Sequence, residues 1–257
     1  MQIDFHHGVT YLLSRIAGFT AKEANIIAYS SAYVDDATNS GLIKFDNGAM
    51  YYRISSAHGM VDLRNLHSSK NLQVWTPYHF LPGNGGLEAG KNPGSWFIDK
   101  LVCKPNSYVA KDMVQYCYDE ANKPYGLHRL GITMHVLADT YSHQDFAGVN
   151  NKINEVNKLK STMPITEKSS WQKFVDMLGN FFVKNVLPLG HGSALSFPDL
   201  PYEICEYEDG YGNKKQRNNK EIFLCATKEM FQTLSEFHAV RDNKKYNVIL
   251  PEKDLEI

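Results

Sequence analysis

The sequence is poor in cysteine and contains no paired cysteine motif. Its four cysteines are scattered over 257 residues, and none of them forms a CxxC pair. Disulfide frameworks and sulfur-ligated zinc sites need cysteines at closer and more regular spacing. We therefore expect reduced, partly buried thiols at Cys103, Cys117, Cys205 and Cys225.

Long apolar runs and an excess of one charge are also missing. No stretch approaches the apolar length that a membrane-spanning helix needs. The first residues lack the basic segment of an ordinary signal peptide, so we expect a protein that is cytoplasmic or exported without a classical signal peptide. The 27 basic and 28 acidic side chains nearly balance, which argues against duplex nucleic acid as a partner.

Helical periodicity dominates the rest of the sequence, and strand-like alternation is scarce. Residues 6–38 indicate helix, with Thr20 as an N-cap and a glutamate three positions later. Residues 47–66 indicate a second helix, whereas residues 71–108 hold most of the proline and glycine and indicate a long loop. These patterns predict a mainly α protein, a single-domain helical bundle with long functional loops over residues 1–257.

The segment HRLGITMHVLADTYSH, residues 128–143, contains four chemically active side chains in helical register. On a helix His128, His135, Asp139 and His143 lie within about 80° of arc. Their neighbours are apolar, so the helix is expected to be buried, and buried imidazole and carboxylate groups need compensation. A divalent cation would supply it, because these groups are common zinc ligands. We predict His135, Asp139 and His143 as metal ligands, with His128 either supporting a ligand or binding the metal directly.

Other histidines and acids in the chain could complete such a site. Singly each has an ordinary interpretation, such as a solvated acid or a surface histidine, although a helix C-terminus is an unfavourable place for two acids. Together they suffice for two or three Zn²⁺ ions. The additional candidates are Asp4, His6, Asp35, Asp36, His79 and His191.

Four stretches carry a resemblance to known proteins: DFHH, YVDDATNSG, YHFLPGNGG and HVLADTYSHQDFAG. The order of the candidate ligands along the chain resembles the zinc-dependent phospholipase C and single-strand nuclease superfamily, whose members are helical hydrolases with three clustered zinc ions. The same stretches are similar to an uncharacterised bacterial family, a domain of unknown function, over most of the chain. That second resemblance implies no activity.

The chain departs from the superfamily pattern in three places. In the characterised enzymes the mature N-terminal amine and carbonyl bind one zinc, a role that we expect to pass to Asp4 beside His6. The interval from Asp139 to His143 is shorter than usual. His191 is followed at the expected spacing by a leucine, and Asp199 is the nearest acid.

The resemblance implies that Asp139 bridges two zinc ions in a phosphoesterase. The first ion would be held with His79, His135 and one acid of the Asp35–Asp36 pair. His143 and His191 would hold the second ion, and Asp4 and His6 the third. The acid of the pair that binds no metal would orient water or act as the catalytic base, so both are candidate catalytic residues. The implied substrate is a phosphodiester or phospholipid, which allows a peripheral contact with membranes.

Two other functions remain open at this level. HD-type nucleotide phosphohydrolases also use metal ions, but they need an adjacent His-Asp pair, and the sequence contains no such dipeptide. A non-catalytic protein with a structural metal site is the other alternative. Structural zinc sites are usually closed and rich in cysteine, and the candidate ligands here are histidine and aspartate.

Overall fold

The computed structural model describes residues 1–58, 68–94, 96–161, 189–190, 192–194 and 197–243. Within them the chain forms seven α-helices and five strands. The helices are α1 (Thr10–Ile16), α2 (Ala21–Asp36), α3 (Ser68–Tyr78), α4 (Ile98–Leu101), α5 (Tyr108–Asp119), α6 (Gly126–Ser142) and α7 (Asn219–Asp242). The strands are β1 (Gly41–Lys44), β2 (Met50–Arg53), β3 (Asn157–Ser161), β4 (Ile204–Glu208) and β5 (Lys214–Asn218).

The prediction of a mainly α helical bundle is wrong, because two antiparallel sheets accompany the helices. β1 pairs with β2, and β3, β4 and β5 form a three-stranded sheet in that order. These strands are only four or five residues long, and most of their residues are charged or exposed, so their sequences give little of the apolar alternation that indicates a strand. Residues 50–53, expected to be helical, form β2; residues 59–66 of that expected helix lie outside the described residues.

The helical predictions near the N-terminus and in the centre of the chain are confirmed with changed boundaries. A π-helical segment, Asp4–Val9, leads into α1. α2 begins after Thr20, whose side chain accepts from the Glu23 backbone amide while the Glu23 carboxylate accepts from the Thr20 amide. This reciprocal cap satisfies two of the free amides at the helix start. Part of the expected 71–108 loop is helical as α3 and α4.

The main core lies between α1, α2, α5, α6 and α7. Its side chains include Phe19, Ile27, Leu130, Met134 and Phe237, all buried. α2 and α6 are in close contact at the glycine in position 131, where a Cβ would overlap the backbone and a side chain of α2. The four cysteines are free, as expected, and three of them are buried.

The three-stranded sheet lies at the C-terminal end of α6. Arg217 on β5 is buried and donates to the carbonyl oxygens of Ser142 (2.7 Å) and Gln144 (3.1 Å). Its positive charge therefore sits where the helix presents unpaired carbonyls. In the described part of the chain no helix has the length and apolar character needed to cross a bilayer.

Candidate metal centre

The last two turns of α6 carry the candidate centre. His135 and Asp139 are one turn apart and completely or almost completely buried, and His143 follows as the C-cap residue. The absence of a side chain at Gly131 lets α2 lie directly against this helix. As a result the carbonyl oxygen of Ser31 on α2 is 2.9 Å from His135 Nδ1.

Three potential ligand atoms meet on one side of the Asp139 carboxylate. Asp139 Oδ2 is 3.2 Å from His79 Nδ1 and 3.2 Å from His135 Nε2. The two ring nitrogens are 3.3 Å apart. Asp35 Oδ1 completes the group at 3.8 Å from His79 Nδ1 and 3.9 Å from His135 Nε2.

In His79, His135 and His143, one ring nitrogen faces a backbone carbonyl, which indicates which nitrogen is protonated in the neutral ring. His135 Nδ1 faces the carbonyl of Ser31 at 2.9 Å, and His79 Nε2 faces the carbonyl of Ser56 at 2.9 Å. His143 Nδ1 faces the carbonyl of His79 at 2.7 Å. A carbonyl oxygen can only accept, so these nitrogens carry the protons in the neutral rings. A backbone carbonyl behind the ring is the usual support of a metal-binding histidine.

The nitrogens that face the cluster are therefore lone-pair donors in the neutral rings. His79 Nδ1, His135 Nε2 and Asp139 Oδ2 lie at mutual distances of 3.2–3.3 Å. A tetrahedral ion with ligand bonds of 2.0–2.1 Å separates its ligand atoms by about 3.3 Å. The three atoms thus have the spacing of ligands around a zinc-sized cation, and Asp35 Oδ1 lies within 4 Å of both ring nitrogens.

The other oxygen of Asp139 faces a second group. Asp139 Oδ1 is 2.8 Å from the amine of Met1 and 3.2 Å from His6 Nε2. The same amine is 3.2 Å from Asp199 Oδ1, which in turn is 3.5 Å from His143 Nε2. The ammonium group thus supplies a positive charge between two carboxylates. Asp139 therefore presents one oxygen to each of two polar groups, as a bridging carboxylate does.

Charge and burial shape the ionisation of this second group. Burial lowers the pKa of the Met1 amine, but Asp139 and Asp199 outweigh it and raise the pKa to about 11. Burial opposes ionisation of Asp139, yet His143 and the Met1 amine hold its pKa well below the usual range. Burial, followed by His135, holds the pKa of His6 well below its usual value, so that ring is neutral.

The ring nitrogens of His6 have no hydrogen-bond partner among the described residues. The side chain is fully buried and stacks on His135, with ring centroids 3.8 Å apart. Nε2 lies close to Asp139, but neither nitrogen makes a hydrogen bond within the described part of the chain. A buried imidazole without hydrogen bonds is costly unless something else occupies its lone pair. His6, His135 and Asp139 form a group whose ligand atoms lie within 4.8 Å of one another.

The structure brings most of the predicted ligands together. Asp4 is exposed, and its carboxylate accepts from the Phe5 amide, so it joins neither group of converging ligand atoms found among the described residues. Asp36 is exposed beside Asp35 at the end of α2. His128 is exposed near the start of α6, and His191 lies outside the described residues. The residues that converge are His6, Asp35, His79, His135, Asp139 and His143.

Two contributors were missed or undervalued by sequence reasoning. The Met1 amine was expected to be replaced by Asp4, and Asp199 was only the nearest acid to His191. No local motif marks either one, because the contact depends on chain segments separated by more than a hundred residues. The supporting carbonyls of Ser31 and Ser56 have no side-chain signature at all.

Comparisons with known proteins place the chain in a family without giving it an activity. No curated protein and no solved structure matches it. A family model matches residues 1–256. The chain therefore belongs to a family of unknown function, DUF6765.

Proposed function

We propose that this protein is a zinc-dependent hydrolase of phosphate esters, with phospholipase C-like attack of water on a phosphodiester. The observation that carries the proposal is the two-sided environment of Asp139. Asp139 Oδ2 lies close to ring nitrogens of His79 and His135, and Oδ1 lies close to His6 Nε2 and the Met1 ammonium group. A single structural ion does not need a carboxylate arranged in this way.

The candidate ligands lie on two sides of the Asp139 carboxylate, one group near each oxygen. Asp35, His79 and His135 would hold one ion with Asp139 Oδ2. His6 and neighbouring groups would hold another beside Oδ1. Divalent cations in such positions supply a water of lowered pKa and positive charge against phosphoryl oxygens.

The protein's own side chains give the centre an accessible edge. His79, His135 and Asp139 are almost fully buried, whereas the Asp35 side chain is 47% exposed. Asp36, exposed beside it, is available to accept a proton from an attacking water. The backbone carbonyls behind the histidines hold the rings in fixed orientations, which keeps the ligand set ordered while substrate exchanges.

This accessible edge favours a catalytic site over a purely structural one. Structural zinc sites are closed, four-coordinate and usually contain cysteine. In this centre the ligands are histidine and aspartate, and none of the four cysteines is among the converging groups. We propose a phospholipid or another phosphodiester as the substrate.

Metal analysis followed by hydrolysis assays tests the proposal. The purified chain is loaded with zinc, analysed by plasma mass spectrometry, and assayed with bis-(p-nitrophenyl) phosphate and a short-chain phosphatidylcholine. We expect two or three zinc ions per chain and hydrolysis of a phosphodiester. Asp36→Asn should reduce turnover without metal loss, whereas Asp112→Asn, an exposed acid on α5, should leave turnover unchanged. Bound zinc without any phosphodiester hydrolysis would refute the function while leaving the metal centre intact.

A further inference from the structure

Phe80 contacts the candidate metal centre without being one of its ligands. Its ring stacks on the His143 imidazole, with ring centroids 4.5 Å apart and an angle of 19° between the planes. The carbonyl oxygen of the preceding residue, His79, is 2.7 Å from His143 Nδ1. Two consecutive residues that follow α3 therefore hold the His143 ring, one at its edge and one on its face.

The same two residues serve both sides of the Asp139 carboxylate. The His79 ring is 3.2 Å from Asp139 Oδ2. The His143 ring, in the orientation that these contacts give it, places its Nε2 at 3.5 Å from Asp199 Oδ1. Asp199 is 3.2 Å from the Met1 amine, which is 2.8 Å from Asp139 Oδ1. The His143–Asp199 pair thus adjoins the group beside Oδ1.

The far end of the Phe80 ring lies against the backbone of Gly190. A Cβ at position 190 would overlap Cζ and both Cε atoms of the ring, and the φ of +56° also favours a residue without a side chain. The Gly190 amide donates to Ala147 O at 3.2 Å, on the loop after α6. Asp199 follows Gly190 nine positions later. Phe80 therefore contacts both His143 and the start of the segment that leads to Asp199.

We propose that Phe80 is a positioning residue for the metal position beside Asp139 Oδ1; the proposal rests on the metal centre of the proposed function. The ring holds the His143 imidazole and the Gly190 backbone, so that His143 Nε2 and the Asp199 carboxylate face each other. Offset stacking of two flat rings restrains the tilt of the imidazole, which an aliphatic side chain of similar volume does not do. Removal of a group that orients a metal ligand typically costs about 10- to 100-fold in metal affinity.

The contacts of Phe80 predict unequal effects on the two sides of Asp139. On the Oδ2 side, the rings of His79 and His135 are held by backbone carbonyls of other segments, at 2.9 Å in both cases. On the Oδ1 side, the His143 ring is held by the Phe80 ring as well as by a carbonyl. Loss of the aromatic ring should therefore weaken one zinc ion and spare the other.

Zinc titration of the metal-free full chain against a chromophoric chelator tests the proposal. For the wild type we expect two or three zinc ions in separable affinity classes. Phe80→Leu should weaken one class about tenfold and leave the other within about twofold of its wild-type affinity. Gly190→Ala should weaken the same class, because the added methyl group pushes this segment away from the ring.

Each variant has a matched control. Phe146 is buried in the same small core as Phe80 but stacks on Tyr207, so Phe146→Leu should lower the urea midpoint similarly without changing either zinc class. Gly212 has a φ of +83° and open space at its Cβ position. Gly212→Ala therefore repeats the backbone strain of Gly190→Ala without the overlap.

Selective loss of one zinc class in Phe80→Leu and Gly190→Ala supports the proposal whether or not the chain hydrolyses a phosphodiester, so this result is separate from that of the proposed reaction. The proposal is overturned by a wild-type chain that binds no zinc or a single ion. It is also overturned if Phe80→Leu weakens both classes equally or neither, or if either control loses zinc as its partner variant does. Phosphodiester hydrolysis with unchanged zinc binding in Phe80→Leu would refute the positioning role and leave the proposed function intact.

Discussion

Two buried histidines in different parts of the molecule have almost the same immediate surroundings. His135 on α6 donates to a backbone carbonyl at 2.9 Å and is 3.2 Å from Asp139, four residues later. His238 on α7 bonds the Ala17 carbonyl at 3.0 Å and is 3.2 Å from Asp242, also four residues later. Both therefore belong to a His-x-x-x-Asp pair on a helix.

What separates the two regions is what else converges on the carboxylate. Asp139 is almost fully buried and meets ring nitrogens from three further histidines. The Asp242 side chain is 30% exposed and is also bonded by the guanidinium group of Arg241. At His238 the carboxylate is partly exposed to solvent and is bonded by one guanidinium group, whereas Asp139 is buried among ring nitrogens of four histidines and the Met1 ammonium group. The candidate metal centre is identified by the number of side chains that converge on the Asp139 carboxylate, and not by burial or by the His-x-x-x-Asp spacing.

The largest expected effect comes from removing the shared carboxylate. Asp139→Asn should lower zinc affinity about 100-fold or more, because both ions lose an anionic ligand. Plasma mass spectrometry should find fewer than one zinc ion per chain. Asp242→Asn, which changes the matched carboxylate on α7, should keep the wild-type metal content. Equal metal content in the two variants would contradict the bridging role.

Substituting each of the two histidines by glutamine tests the same comparison at a single ligand. His135→Gln should weaken zinc binding roughly 10- to 100-fold, as loss of a ligand or its support does. His238→Gln should bind zinc normally and lose about 1–2 kcal/mol of unfolding free energy, because a buried hydrogen bond is impaired. Zinc titration and urea unfolding measure the two quantities. Zinc loss in His238→Gln would show that the comparison fails.

The close contact of α2 with α6 supplies a third and smaller effect. Gly131→Ala places a methyl group against Ile27 O and Ser30, so the helices must move apart. We expect a loss of about 1–3 kcal/mol in unfolding free energy, together with weaker zinc binding as Ser31 O moves away from His135. Gly8→Ala is the control, because its Cβ would meet no atom within 4 Å. If Gly131→Ala and Gly8→Ala lost similar amounts of unfolding free energy in urea, close contact between α2 and α6 would not be the cause of the loss.

The smallest expected effect is at Asp4, whose carboxylate accepts from the Phe5 amide outside both ligand groups. Asp4→Asn should leave zinc content unchanged and alter the unfolding free energy by less than about 0.5 kcal/mol. Asp35→Asn provides the contrast, because Asp35 Oδ1 faces two ring nitrogens and its loss should weaken zinc binding. Zinc loss in Asp4→Asn would restore the third site that the sequence suggested.

The sequence could predict the helices and the central ligands because both follow from periodicity along a single element. The His135, Asp139 and His143 cluster was visible as one face of α6, and Thr20 was visible as a cap. In sequence the His135 pair differs from the His238 pair by the further histidines on the same helical face, since the His-x-x-x-Asp spacing itself is identical. The convergence of His6 and His79 on Asp139 depends on distant parts of the chain that the sequence does not bring together.

The strands were not predicted, because their residues do not show the pattern by which strands are found in a sequence. β2 is exposed along its whole length, and its apolar side chains were read as part of a helix. A strand with exposed apolar residues on its outer face has no polar–apolar alternation to reveal it.

Anomalous diffraction at the zinc absorption edge, from crystals of the zinc-loaded chain, tests the central claim most directly. The account predicts one peak about 2.0–2.2 Å from His79 Nδ1, His135 Nε2 and Asp139 Oδ2, and a second peak on the Oδ1 side of the same carboxylate. A map with no peak at Asp139, in a chain whose ring positions are unchanged, would contradict it.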